Sequence, residues 1–453
     1  MRFQAVKGTR DFYPEAMRLR NWICEAWRRV SLRNGFEEYD TPIFEYLELF
    51  TAKSGQEIAE QLFNFTDRGG RRLAIRPEIT PSLARMVNAK ISSLPRPIKW
   101  FSVPRLCRAE NPQKGRLREF FQWNVDIIGS DDILADAECI FVAVDFLREM
   151  DLTPEDVCVR IGSRPLTVAA LRAAGVGEEA IDAALAVLDK RPKVPQEDFH
   201  KLATGIGLND EQIAAACRFQ DCSGTDEVRQ VLAGASDVGR HIDELESLWG
   251  YLKSMGAAEF CRLDMGIVRG LAYYTGVVYE IFDAAGSLRA IAGGGRYDNL
   301  LQMFDGPAIG ATGFGMGDVV LSILLTERHK LPGLGQELDF FVIDDEEGCL
   351  PAVLKVVAAL RAAGWRTEYS LKRQKTPKQL KEAVRRGAAV AVFLRRSGAP
   401  VSPDGFDLTI KNLRNEKQYP ARLFVDEFLR RPELKNVRTI EQFVDRFGLA
   451  NGR

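Results

Sequence analysis

The sequence predicts an α+β fold, broken by a helical insertion and followed by a small, separate α/β domain. Three observations carry this reading. Strand-forming and helical runs are mixed over residues 1–164 and again over 256–330. Between them the texture changes: Ala-rich helical patterns, punctuated by Gly175, Gly177, Pro192, Pro195, Gly205 and Gly207, show no β-branched alternation of any length. Beyond the Leu331-Pro332-Gly333-Leu334-Gly335 linker a β/α pattern repeats. The resulting division is a domain in two parts (1–164 and 256–330), an insertion (165–255), a C-terminal domain (336–430) and a tail helix of no assignable role (431–453). A chain of 453 residues is expected to hold two or three domains.

The elements follow in order. Residues 12–34 read as an amphipathic helix with Trp22, Ile23, Ala26 and Trp27 toward one side, ended by Asn34-Gly35. Phe36 to Thr41 reads as a strand broken at Pro42, which places it at an edge or a subunit seam. Leu73 to Thr80 runs as a strand into a helix start at Thr80-Pro81, where proline suits the first turn. Residues 97–128 form a hairpin whose second arm, Phe120 to Ile128, is rich in strand formers, and a helix follows from 131 to 150. After the insertion, strands are expected at 260–264, 277–282 and 288–291, and a helix at 317–328. In the C-terminal domain strands at 340–343, 366–369 and 390–394 alternate with helices at 350–363 and from Thr376-Pro377 to Gly387.

Composition narrows the function classes. The apolar share of 46% and charged share of 28% are those of a water-soluble globular chain. No apolar run approaches the length of a bilayer span, and Met1 to Asp11 has no apolar core of a secretion signal. Eight scattered cysteines without a C-x-x-C pair fit free thiols in a reducing, cytoplasmic setting. With three histidines a histidine-rich metal site is excluded, and no metal ligand set is expected. The net charge of −1 hides a local excess: residues 351–400 carry twelve Lys or Arg against two acids. Such a field suits phosphate contacts, and it is equally an ordinary solvated face; Lys372, Arg373 and Lys375, in a loop, are its foremost RNA candidates.

Five separated stretches could do chemistry. In Cys107 to Asp126, Arg108 and Arg116 stand on either side of a turn holding Pro112 and Gly115, and two guanidinium forks can grip a bent polyphosphate. Taken alone, this is also an ordinary charged hairpin. Arg76-Pro77-Glu78-Ile79-Thr80 offers a carboxylate and a hydroxyl to a substrate ammonium group, or simply caps a helix. Arg269, within Gly266 to Gly276, is an anion contact or a loop arginine beside the packed pair Tyr273-Tyr274. Gly293-Gly294-Gly295-Arg296-Tyr297-Asp298 lets backbone approach a ligand but lacks the spacing of a dinucleotide or Walker loop. Gly310 to Gly317 is a small-residue entry to a helix.

Together, and in this order, these stretches resemble the histidyl-tRNA synthetases, a class II aminoacyl-tRNA synthetase family. The Arg-Gly-Leu-x-Tyr-Tyr and Gly-Gly-Arg-Tyr-Asp segments are that family's own signatures, and the resemblance runs from Lys7 to the C-terminal domain. It implies an antiparallel sheet flanked by helices, a homodimer with Pro42 at its seam, and an anticodon-binding role for the α/β domain. It implies a histidine–tRNA ligase using L-histidine, ATP with Mg²⁺, and tRNA(His). By matching position, Arg108 would hold the α-phosphate and Arg116 the γ-phosphate. Glu110 would meet the adenine amino group, with Phe120 against the ring. Glu78, Thr80 and Gln122 would take the substrate ammonium. Asp126 with Tyr273 and Tyr274 would read the imidazole. Arg269 would bridge α-phosphate and carboxylate, and Gln113 and Arg118 would face the tRNA acceptor end. Three positions depart from the family pattern: Ala272 for Asp, Asn111 for Arg, and Val320 where class II enzymes keep an arginine at the ATP. The last change also admits a paralogue that keeps the fold as a non-catalytic, histidine-sensing subunit.

Overall fold

In the computed structural model the described residues are 3–449, apart from 52–61, 236–237, 270–273, 336–337, 373, 397–404, 420–422 and 432. They form two compact units, Met1–Pro332 and Gly333–Arg453.

The first unit opens with helix α1, Pro14–Arg33, whose buried Ile23, Trp27 and Val30 recur at the spacing of one helical face. It stops at Asn34, and Gly35 follows in the left-handed region. Next come strands β1 (Glu37–Glu38), β2 (Phe44–Tyr46), β3 (Asn64–Thr66) and β4 (Arg72–Ile75), then helix α2 (Thr80–Lys90). Strands β5 (Ile98–Ser102), β6 (Arg105–Cys107) and β7 (Glu119–Ile128) lead to helix α3 (Leu134–Glu149) and strand β8 (Val157–Ser163).

The following stretch is helical, as expected: α4 (Arg164–Ala173), α5 (Ile181–Leu188), α6 (Gln196–Gly205), α7 (Asp210–Gln220), α8 (Thr225–Val231) and α9 (Val238–Ser254). Leu171, Leu185, Phe199 and Ile213 form a cluster of their own. Helix α9 instead sends Ile242, Leu245, Leu248 and Leu252 into the main core. The unit closes with β9 (Cys261–Leu263), β10 (Val277–Asp283), β11 (Ala292–Arg296), β12 (Ala311–Gly317) and helix α10 (Asp318–Glu327).

The main sheet runs β1-β5-β7-β12-β11-β10-β8-β9, with β6 added to β7. Its interior pairs are antiparallel, and only the edge pairs β1/β5 and β8/β9 are parallel. Strands β2, β4 and β3 make a separate small sheet. One expectation fails: residues 288–291 are not a strand, and the glycine run after them is.

Strand β7 organises the unit through its two-residue period. Trp123, Val125 and Ile127 lie in the core beneath α1 and α3. The Trp123 ring sits 6.2 Å from Trp27, 5.3 Å from Phe146 and 4.9 Å, edge-on, from Phe314. Gln122, Asn124 and Asp126 therefore face the opposite side, where they line a cavity.

The second unit has strands β13 (Leu338–Asp344), β14 (Thr367–Tyr369), β15 (Ala388–Arg396), β16 (Phe406–Asn412) and β17 (Leu423–Phe424) in the order β14-β13-β15-β16-β17. The first three are parallel, crossed by helices α11 (Leu350–Ala362) and α12 (Thr376–Arg385), and the last two are antiparallel. Short helices α13 (Val425–Arg430), α14 (Glu433–Asn436) and α15 (Ile440–Arg446) end it. This corrects the expectation of a tail helix over 431–453. Phe443 is fully buried, its ring 4.9 Å from Phe340 and 4.3 Å from Phe447. The indole of Trp365 donates to the Leu434 carbonyl at 3.1 Å, and the Asn412 side chain to that of Leu449 at 3.0 Å. These residues close a core because β13 and β15 leave an apolar face that α11 alone does not cover.

Among the described residues no helix is long and apolar enough to cross a membrane.

Candidate active site

The cavity over β7 has a volume of about 360 Å³. Glu78, Thr80, Arg108, Glu110, Arg116, Gln122, Asp126, Arg269 and Tyr274 all line it. An adjoining cavity of about 220 Å³ shares Arg108, Arg116, Gln122 and Arg269 and adds Phe120 and Val320. Nine of the residues singled out in the sequence thus meet in one hollow, though they come from three separated stretches.

Glu78 and Thr80 stand where α2 begins. The residue in the cap position is Ile79, which has no side-chain acceptor, and Thr80 is already inside the helix. The capping alternative therefore fails, and both groups turn to the cavity.

The hairpin forms as expected. Strand β6 pairs with β7 from Arg105↔Phe121 to Cys107↔Glu119. Beyond it the Arg108 amide donates to the Arg118 carbonyl at 2.8 Å, and Gln113 and Arg116 exchange two backbone bonds of 2.9 Å. Arg108 is fixed twice, by donation to the Pro77 carbonyl at 3.0 Å and by lying 5.2 Å over the Phe120 ring. Arg116 pairs with Glu110. Gln113 and Arg118 lie outside both cavities: Arg118 donates to the Glu110 carbonyl at 3.0 Å, and Gln113 accepts from Arg289 at 2.6 Å.

Arg269 is held in the left-handed backbone region, with φ +54°. Its guanidinium donates to Glu280 at 3.1 Å and lies 5.4 Å over the Tyr274 ring. Burial pushes the Glu280 carboxyl up, and the Arg269 charge opposes that shift.

The glycine run is neither a phosphate loop nor a turn. Gly293 pairs with Gly315 and Gly295 with Gly313, so two glycine strands lie side by side as the floor of the site. A Cβ at Gly293 would collide with the Arg269 guanidinium, and one at Gly315 would sit 2.7 Å from the Gln122 amide. Glycine is required here because the Arg269 and Gln122 side chains cross the sheet surface at that level.

Asp126 is buried, with its Oδ1 accepting from the Tyr297 hydroxyl. Its Oδ2 is buried with no partner among the described residues. Burial pushes the carboxyl up to about 7, and the Tyr297 hydrogen bond opposes that shift. Tyr274 packs edge-on to Tyr297 at 6.3 Å. Tyr297 was not singled out in the sequence, although a signal existed. Residues 293, 295 and 297 share one face of a strand once the glycine run is taken as β11. Its neighbour Arg296 serves the other face, donating to Asp136 at 2.9 Å, while Thr312 donates to the same carboxylate at 2.8 Å.

Tyr273 and Arg373, with Ala272, lie outside the described residues. Lys372 and Lys375 belong to the second unit, both exposed just ahead of α12.

A model of the histidyl-tRNA synthetase family matches residues 8–317. The chain belongs to the histidyl-tRNA synthetase family. A histidine–tRNA ligase of Opitutus terrae is 42% identical over 86% of this chain and 90% of its own length. The chloroplastic and mitochondrial histidine–tRNA ligase of Arabidopsis thaliana is 39% identical over 92% of this chain and 84% of its own. In fold, the chain is similar to a histidyl-tRNA synthetase from Nostoc sp. PCC 7120, with a TM-score of 0.77 at 23% identity, covering 96% of this chain and 99% of the other. The family's antiparallel sheet flanked by helices is the one described above.

Proposed function

We propose that this chain is an ATP-dependent histidine–tRNA ligase that forms histidyl-adenylate and passes the histidyl group to the 3′ end of tRNA(His). One observation carries the reading of the amino acid: a buried carboxylate, Asp126, lines the cavity beside two tyrosines and holds an oxygen without a partner among the described residues. An imidazole N–H is a fitting partner for that oxygen, because a buried acceptor without a donor is costly. An apolar side chain of similar size leaves it unpaired, which supplies discrimination.

In the proposed reaction a carboxylate oxygen of histidine attacks the α-phosphorus of ATP. The bond to the β-phosphate breaks, and pyrophosphate leaves. The terminal hydroxyl of tRNA then attacks the carbonyl carbon of the acid–phosphate anhydride: an ester bond to the histidyl group forms, the bond from that carbon to the phosphate oxygen breaks, and AMP leaves. Glu78, Thr80 and Gln122 hold the ammonium group, while Arg108 and Arg269 stabilise charge on the α-phosphate. Arg116 takes the γ-phosphate, Glu110 the adenine amino group, and Phe120 stacks on the ring. That Arg116 and Glu110 touch supports a bent ATP, whose two ends come near each other.

Among the described residues no group of three metal-ligating side chains gathers. Of the four carboxylates at the two cavities, Glu110, Glu280 and Asp126 are engaged by Arg116, Arg269 and Tyr297. Mg²⁺ is thus proposed to arrive with ATP as part of the substrate, held by phosphate oxygens and water.

A homodimer is proposed on the small sheet, where Ile43, Phe44, Tyr46 and Phe65 are each more than two-fifths exposed. Pyrophosphate exchange with each amino acid in turn tests the ligase reading. Exchange with histidine alone is expected; binding of histidine without exchange would return the chain to a sensing role.

The second unit is proposed to bind the anticodon through Lys372, Arg373 and Lys375, with Gln113 and Arg118 at the acceptor end. Reversing the three charges in the second unit is expected to raise the KM for tRNA about tenfold or more at 150 mM salt, with the KM for ATP unchanged. Equal effects on both would remove the RNA role.

A further inference from the structure

Helix α10 starts Asp318-Val319-Val320, so the arginine that the family pattern puts at position 320 is missing. Val320 lines the adjoining cavity together with Arg108, Arg116 and Arg269. It packs toward Gly115, where the hairpin turn takes a left-handed backbone of φ +79°. An added Cβ at Gly115 would lie 3.2 Å from a Val320 methyl and 3.9 Å from the Cδ of Arg289. The bare face of Gly115 is therefore flanked by the valine and by the stem of an arginine that enters from another element. Arg289 belongs to the connection between β10 and β11, and the next residue, Ala290, lines the same cavity as Val320. Its guanidinium donates at 2.6 Å to Gln113, two residues before Gly115, on the exposed rim of the hairpin.

We propose that Arg289 supplies the cation that position 320 lacks, gripping the outer phosphates of ATP from the β10–β11 connection. Three features converge on this. The arginine stem and Val320 border the same glycine, so the two positions reach one place. A short residue at 320 leaves room there, whereas two guanidinium groups around Gly115 would repel each other. Gln113 is a neutral partner, and an amide oxygen yields to a polyphosphate as acceptor because charge-assisted bonds are about twice as strong. The proposal rests on the ATP reading given above and adds a residue to it.

Nucleotide binding to the full chain, measured by calorimetry with ATP and with AMP, separates this role from that of a surface arginine. Arg289→Ala is expected to weaken ATP binding about tenfold while AMP binding stays within twofold. Arg289→Lys keeps the charge without the fork and should fall between. Val320→Arg placed on the Arg289→Ala background should recover most of the lost ATP affinity. Unchanged ATP binding in Arg289→Ala overturns the proposal, as does an equal loss for ATP and AMP. Because Arg289 is exposed, neither single variant threatens the core. Should the parent chain show the ATP–AMP contrast at Arg289 but no histidine-dependent exchange, the ligase reading falls and the phosphate contact stands.

Discussion

Replacing Arg269 by alanine is expected to lower histidine-dependent pyrophosphate exchange by roughly 10²–10³-fold, through kcat more than through the KM for either substrate. Charge on the α-phosphate grows as the carboxylate attacks, and a fixed guanidinium stabilises that state most in a cavity with few waters. The position of Arg269 is over-determined: a left-handed backbone, a 3.1 Å bond to Glu280, and a glycine beneath it. Gly293→Ala provides an independent check, because the new methyl group displaces the same guanidinium without removing it. Both variants should lose exchange together, and Arg269→Ala should also melt lower than the parent because the half-buried Glu280 loses that cation. Near-normal rates in either would remove Arg269 from the reaction.

Changing Asp126 to asparagine is expected to lower kcat/KM for histidine about 10- to 150-fold, the value of one charged hydrogen bond, while the KM for ATP holds. The pH dependence gives a second readout. The carboxyl is held at about 7 in the folded chain against an ordinary value near 3.8, so between those values the folded state binds more protons than the unfolded one. Its contribution to stability is therefore present below pH 3.8 and lost as pH rises through 7. The melting temperature of Asp126→Asn should gain on that of the parent from pH 4 to 7 and run parallel above. In parallel, kcat/KM for histidine should show a free-enzyme step near 7 in the parent that the variant lacks, beside the step of the substrate's own imidazole that both share. A constant difference across that range would mean that Asp126 does not titrate there.

What the sequence displayed and what it hid divide along a physical line. Elements with strong local signals came through: α1 with its apolar stripe, β7 with its strand formers, and the Thr376-Pro377 helix start. Strand β11 did not, because a glycine run has the lowest strand propensity and reads as loop. Only its neighbours on both sides, and side chains that must cross it, make it a strand. That misreading concealed Tyr297, which joins the site by strand alternation rather than by any motif of its own. Arg289 was concealed with it, since the segment before the run was taken as the strand. The terminal stretch was read as a tail because its helices are short, and nothing local tells a short helix in a core from one in solvent. The charged groups of the cavity were visible as types, and the family likeness gave them roles; local pattern alone left each with an ordinary alternative.

The burial of Phe443, Phe447 and Leu449 has a consequence for biosynthesis. A ribosome delivers these side chains after every strand of their unit, so that unit's interior stays open to water until translation has passed Leu449. Among the described residues the apolar clusters of the first unit contain none later than Leu331, so that interior can mature earlier. A nascent chain halted near residue 430 is accordingly expected to carry one finished half and one still vulnerable to proteases.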